Sequence, residues 1–166
     1  MLKLNHENLN GTFNFEEYIY QKENININNL ECMKNYLKGF KNIPDSLKSL
    51  NCAFNIINSL DNLNLELETL NCSGNKIVTL NNLPTKLINL DCSYNNIIQL
   101  DFLPESLTIL YCGHNQITRL DNLPIQLNII CCESNKLTEL NNIPGKLIQF
   151  YYSNNYGLTK IINKNN

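Results

Sequence analysis

Apolar and polar residues along this chain recur in a fixed order every twenty positions. From Leu87 the order runs Leu87, Leu90, Cys92, Asn95, Ile97, Leu100, Leu103 and Pro104. Upstream the same places hold Leu67, Leu70, Cys72, Asn75, Ile77, Leu80, Leu83 and Pro84, and downstream Leu107, Leu110, Cys112, Asn115, Ile117, Leu120, Leu123 and Pro124. Self-similarity at a fixed period of about 20 to 50 residues marks a solenoid, in which each unit buries its apolar face only against its neighbours.

The period predicts the elements of one unit. Alternation around Asn89 to Ser93 places Leu90 and Cys92 inward and Asn89, Asp91 and Ser93 outward, as in a short strand. Strands of successive units then pair in parallel, about 4.8 Å apart, so seven of them span roughly 29 Å. Asn35, Asn55, Asn75, Asn95, Asn115, Asn135 and Asn155 share one phase, where the chain leaves the strand. There a side-chain amide can satisfy turn carbonyls and N–H groups whose burial unpaired costs roughly 1–3 kcal/mol each. The return leg, such as Leu100 to Leu107, carries apolar residues every three or four positions and a proline, which cannot donate to a ladder. Extended chain or short 3₁₀ turns are expected on that side, not a second full sheet or a long helix.

Residues 1–26 fall outside the period. Phe13, Phe15, Tyr18 and Tyr20 mix an alternating pattern with the helix-compatible run FEEYIYQ, so both strand and helix remain open. Their apolar content suits an N-terminal cap over the first core face. Residues 27–166 make seven units, the last imperfect: Gly157 stands where an aliphatic is expected, Leu158 follows one place late, and a polar tail runs from Asn163 to Asn166.

The pattern LxxLxCxxNxIxxLxxLPxx resembles the leucine-rich repeat, LxxLxLxxNxL, with Cys in the third apolar place. Its twenty-residue unit and proline after leucine resemble the short bacterial-effector class of that family. The resemblance covers residues 27–166 and implies an α/β-type leucine-rich-repeat solenoid. In that fold a parallel sheet lines the concave face and extended or 3₁₀ segments the convex one. Such effectors often carry a ubiquitin-ligase domain after the repeats; none follows here, so ligase activity is not expected. The Asn, Ile and Lys bias looks like that of leucine-rich-repeat proteins from amoeba-infecting giant viruses, which would place the chain in a host cytoplasm.

Composition narrows the function classes. Asn makes up about a fifth of the residues, but at fixed phases between apolar columns, which favours a packed fold over a disordered polar tract. A net charge of −2 and a pI near 5.7 give no electrostatic footprint for nucleic acid or an anionic membrane. The N-terminal residues do not read as a signal peptide, and no stretch is long and apolar enough to span a bilayer. Of seven cysteines, Cys32, Cys52, Cys72, Cys92, Cys112 and Cys132 share one inward phase. Parallel side chains in neighbouring strands are poorly placed for disulfides, and there is no CxxC or zinc-spaced Cys/His pairing. Reduced thiols in a cytoplasmic setting are expected. The sequons at Asn10 and Asn71 are then chance matches.

For catalysis the sequence offers little. His6 and His114 are the only histidines, and Cys131 is the one cysteine outside the column. Strand geometry puts His114 and Cys131 roughly 11 Å apart, beyond the reach of a nucleophile and its base. No catalytic set, metal site or cofactor is expected. The outward strand positions are more informative, because a solenoid binds through its concave sheet. One outward column reads Glu31, Asn51, Asn71, Asp91, Tyr111, Cys131, Tyr151, and the one before it Asn29, Ser49, Thr69, Asn89, Ile109, Ile129, Gln149. Both turn from polar to apolar in the later units, with Tyr94 and His114 at the nearby strand exits. An apolar patch with a polar rim, rich in Tyr, points to a protein partner; ordinary β-propensity is the competing explanation. Tyr94, Ile109, Tyr111, His114, Ile129, Cys131 and Tyr151 are the candidate contact residues. The rival roles are weak self-association through the C-terminal coil and an adaptor that presents a substrate to a separate enzyme.

Overall fold

The computed structural model describes residues 1–21, 26–61 and 63–163; the side chains of Tyr20, Gln21, Ile162 and Asn163 and the last three residues of the polar tail lie outside what is described. The strands are β1 (Leu2–Lys3), β2 (Asn10–Asn14), β3 (Asn29–Glu31), β4 (Tyr36–Lys41), β5 (Ser49–Asn51) and β6 (Thr69–Asn71). They continue with β7 (Asn89–Asp91), β8 (Ile109–Tyr111), β9 (Ile129–Cys131), β10 (Glu139–Ile143), β11 (Gln149–Tyr151) and β12 (Lys160–Asn163). Among the described residues one helix, α1 (Phe15–Gln21), lies in the first coil. The main sheet is parallel, in the order β1-β3-β5-β6-β7-β8-β9-β11. From β3 onward its register steps by one unit per strand: Leu50 meets Leu70, Leu70 meets Leu90 and Leu90 meets Leu110. A register fixed at the period stacks like on like, so each apolar phase becomes a continuous column. Leu30, Leu50, Leu70, Leu90, Leu110 and Ile130 form one, and the six in-phase cysteines form the next; all are buried.

The sheet has eight strands where the period predicts seven. The extra one is β1, which pairs Leu2 with Leu30, an offset eight residues longer than the period. Leu2, Leu4 and Leu9 repeat the spacing of Leu30, Cys32 and Leu37, so the N-terminal segment is itself a coil of the solenoid. Its additional residues accommodate α1, and both alternatives left open by the sequence occur, a strand at β2 and a helix after it. Phe13 packs edge-on against Phe15 at 5.0 Å, and Phe40 lies 6.0 Å from Phe15. These rings bury the apolar end of the coil.

On the convex side the return legs are extended. Each closes on a single turn in which a leucine N–H donates to the carbonyl three residues back, for example Leu87 to Pro84 at 3.1 Å and Leu107 to Pro104 at 3.0 Å. Among the described residues strand pairs form there only at the two ends, β2 with β4 and β10 with β12, with one isolated bridge between Thr79 and Gln99. In the last unit Glu139 pairs with Lys160, one place beyond the period, and a bulge follows Asn141. The late Leu158 thus becomes an irregularity in pairing, and the coil still closes.

The in-phase asparagines stitch the coils together. Asn95 donates through Nδ2 to the carbonyls of Cys72 (3.0 Å), Cys92 (3.1 Å) and Ser93 (3.1 Å), and its Oδ1 accepts the Ile77 N–H at 3.0 Å. The same four partners recur at Asn55, Asn75, Asn115, Asn135 and Asn155. Asn35 does this for the first coil, donating to Leu4 O and accepting from Leu9 N. Among the described residues no buried side-chain N or O lacks a partner. No helix among them is long and apolar enough to cross a membrane.

Candidate functional site

The outward face divides in two by chemistry. In the early units the polar side chains of one outward column, Glu31, Asn51, Asn71 and Asp91, bond within the chain. Glu31 meets Lys3 at 3.3 Å, and Asn51 Oδ1 accepts the Ala53 N–H. Asn71 Oδ1 accepts both the N–H and the hydroxyl of Ser73, and Asp91 Oδ1 accepts the Ser93 N–H at 3.0 Å. Short Asx side chains favour such bonds two residues ahead. From β8 onward the same column changes to Tyr111, Cys131 and Tyr151, and the two tyrosine rings carry nothing at that position able to accept such a bond.

The parallel register sets these residues side by side. Ile109 pairs with Ile129, and Tyr111 pairs with Cys131, which pairs with Tyr151. Ile109, Ile129 and Cys131 are half-buried between their neighbours, whereas Tyr111 and Tyr151 remain 37% and 50% exposed. Three residues beyond the strands, Tyr94 and His114 stack face to face, 4.1 Å between centroids and 9° between planes. The seven residues singled out from sequence therefore form two adjoining groups on one face, a strand row and a stacked pair at its exit.

That exit has a common backbone conformation. Lys34, Phe54, Gly74, Tyr94, His114, Ser134 and Asn154, each just before a ladder asparagine, all have φ between 53° and 65°. In every coil but the last the left-handed turn aims this N–H at the next coil, as from Tyr94 to Gly113 O (3.0 Å) and from His114 to Glu133 O (2.9 Å). It also turns the side chain out along the rim of the sheet. Phe54, 51% exposed, belongs to this column and lies over Gly74, where an added Cβ would stand 2.6 Å from the ring. Sequence reading of the strand columns alone missed Phe54, although it shares the phase of Tyr94 and His114.

Two carboxylates complete the face. Asp91 stands one strand from Tyr111. Glu133 lies beside the exit pair, its Oε1 3.8 Å from His114 Nε2, and its second oxygen meets the Ser153 hydroxyl at 3.5 Å. Burial pushes the Cys131 thiol above its ordinary range, while the Glu133 N–H pulls the other way. Among the described residues no three His, Cys, Asp or Glu side chains gather where a metal could be held. A separate ionic cluster sits where the chain enters the strands: Glu66 accepts from Lys48 at 2.8 Å and Lys86 at 2.7 Å, which draws its carboxyl down to about 2, the Lys48 bond first.

Several solved structures superimpose on this chain. YopM from Yersinia enterocolitica WA-314 does so with a TM-score of 0.78 at 33% identity, over 81% of this chain and 30% of that one. The leucine-rich effector YopM from Yersinia pestis gives 0.72 at 29% identity, over 85% and 44%. A Shigella effector leucine-rich-repeat domain gives 0.63 at 29% identity, over 69% and 51%. This chain spans between 30% and 51% of the length of those proteins. No protein-family model matches it, and no match is found among curated proteins. The period, the parallel sheet stepping by one unit per strand and these neighbours agree: the chain folds as a leucine-rich-repeat solenoid of twenty-residue units, similar to the short bacterial-effector type.

Proposed function

We propose that this chain is a non-enzymatic protein-binding module that engages its partner through the concave face of its later coils. The observation that carries the reading is the change of chemistry between β7 and β8. Before it, Glu31, Asn51, Asn71 and Asp91 of one outward column each bond within the chain; after it, Tyr111, Ile129 and Tyr151 make up an aromatic and aliphatic surface with no such internal bonding role. Tyr, offering a large contact area at little entropic cost, is favoured at the centres of protein interfaces. The likeness to proteins described as effectors suits a module that acts by contact. Seven unbridged thiols, six of them buried, suit a reducing compartment such as the cytoplasm.

The test is capture from a lysate of the source cells. Changing Tyr111 and Ile129 together to Ser should abolish recovery of the specific partner, each anchor being worth on the order of 2 kcal/mol. Changing Asn51 and Thr69 to Ser, on the polar half, should leave recovery intact. Full recovery by the Tyr111/Ile129 variant would move the site off this face.

A further inference from the structure

We propose that the later-coil face is built to take cationic side chains, so that its ligand is a basic, arginine-bearing segment of the partner protein. The inference rests on the protein-binding reading above and names the chemistry of the ligand. Across the outward strand and exit positions from Ser49 to Asn154 the chain places Asp91 and Glu133 and not one Lys or Arg. Tyr111 lies on the strand between them, and the Tyr94–His114 stack stands beside it at the exits of β7 and β8. Tyrosine faces attract a guanidinium or ammonium within about 6 Å through the ring quadrupole, and carboxylates beside them add direct charge pairing.

The acids are not already neutralised by neighbouring cations. Asp91 uses one oxygen on the Ser93 N–H, and no Lys or Arg ion pair reaches it or Glu133 among the described residues. Lys48 is held by Glu66 and Glu68, and Lys136 lies past the asparagine column, where it donates to Gln116. Phosphate-bearing ligands, whether nucleic acid or anionic lipid, would meet negative charge and no counter-charge here. A neutral apolar peptide would use the rings and leave both carboxylates without a lysine or arginine to pair with. Asp91 and Glu133 lie two coils apart, about 10 Å along the sheet, which two or three residues of extended peptide can span.

The experiment measures binding of a short labelled Gly/Ser peptide carrying two arginines, beside its glutamine counterpart, at low and physiological salt. The arginine peptide should bind about tenfold more tightly or better, with the difference shrinking as salt rises. Asp91→Asn combined with Glu133→Gln should remove most of that preference. The fold should tolerate this pair, because Asn51 and Asn71 already fill the Asp91 place in neighbouring coils. Tyr111→Phe should keep the preference and Tyr111→Ser should lose it, melting curves for each confirming that the variants are folded. Glu105→Gln, an exposed acid on the return turn, should change nothing.

Equal binding of the two peptides overturns the proposal, as does an equal loss from Glu105→Gln, which would mean diffuse attraction to an acidic protein. The partner-capture test reads separately. Capture lost on changing Tyr111 and Ile129, with no arginine preference, would retain the binding face and discard the cationic ligand.

Discussion

Asn95 and Asn96 are neighbours of identical chemistry with opposite roles. Asn95 is 7% exposed and holds four backbone groups of two coils, whereas the Asn96 side chain faces solvent. Asn95→Leu removes the acceptor for Ile77 N–H and the donor to three carbonyls at a place water cannot reach. With each stranded group costing roughly 1–3 kcal/mol, a loss of about 3 kcal/mol or more is expected. Asn96→Leu should stay within about 0.5 kcal/mol of the parent. Denaturant titration of both variants decides the matter, and equal midpoint shifts would remove the ladder from the account of stability.

At the level of the coil, what could be read from the sequence follows from what repeats. The strands, the inward columns and the asparagine phase were legible because each recurs at the same offset, and a parallel register preserves that offset in space. The first coil was not, since its insertion of α1 displaces Leu2, Leu4 and Leu9 from the common phase while keeping their mutual spacing. The tyrosine row was legible from alternation alone. The role of the strand exit was not, because positive φ leaves no mark on residue type when Lys, Phe, Tyr, His, Ser and Asn all adopt it. Only Gly74 shows the usual preference, and it makes the conformation testable. Gly74→Ala would place a Cβ in a left-handed residue at φ 65° and displace the half-exposed Phe54 ring. A loss of about 1 kcal/mol or more is expected from the backbone conformation. Adding Phe54→Ala should recover only the part due to the ring, and an unchanged melting temperature for Gly74→Ala alone would contradict the turn geometry.

Over the whole molecule, the six stacked cysteines couple stability to alkaline pH. All are buried, and burial is the leading cause that raises Cys32 and Cys132 to about 12 and the four between them further. In the unfolded chain the same thiols ionise near 9.0. Their contribution is therefore fully present below pH 9 and is lost as pH rises toward the folded values, because the unfolded state then releases protons that the folded state keeps. Each thiol weakens folding by about 1.4 kcal/mol per pH unit in that window. Six acting together amount to about 8 kcal/mol per unit, comparable with the whole stability of an ordinary domain. Under reducing conditions the protein should unfold near pH 10, while at pH 8 only the half-buried Cys131 should react with a thiol reagent before unfolding. Cys92→Val should reduce the pH slope by about a sixth, whatever it does to stability at neutral pH. A denaturation midpoint that stays flat from pH 8 to 10.5, or rapid labelling of Cys92 in the folded protein, would show that the column is open to solvent and that the thiols do not titrate as one buried stack.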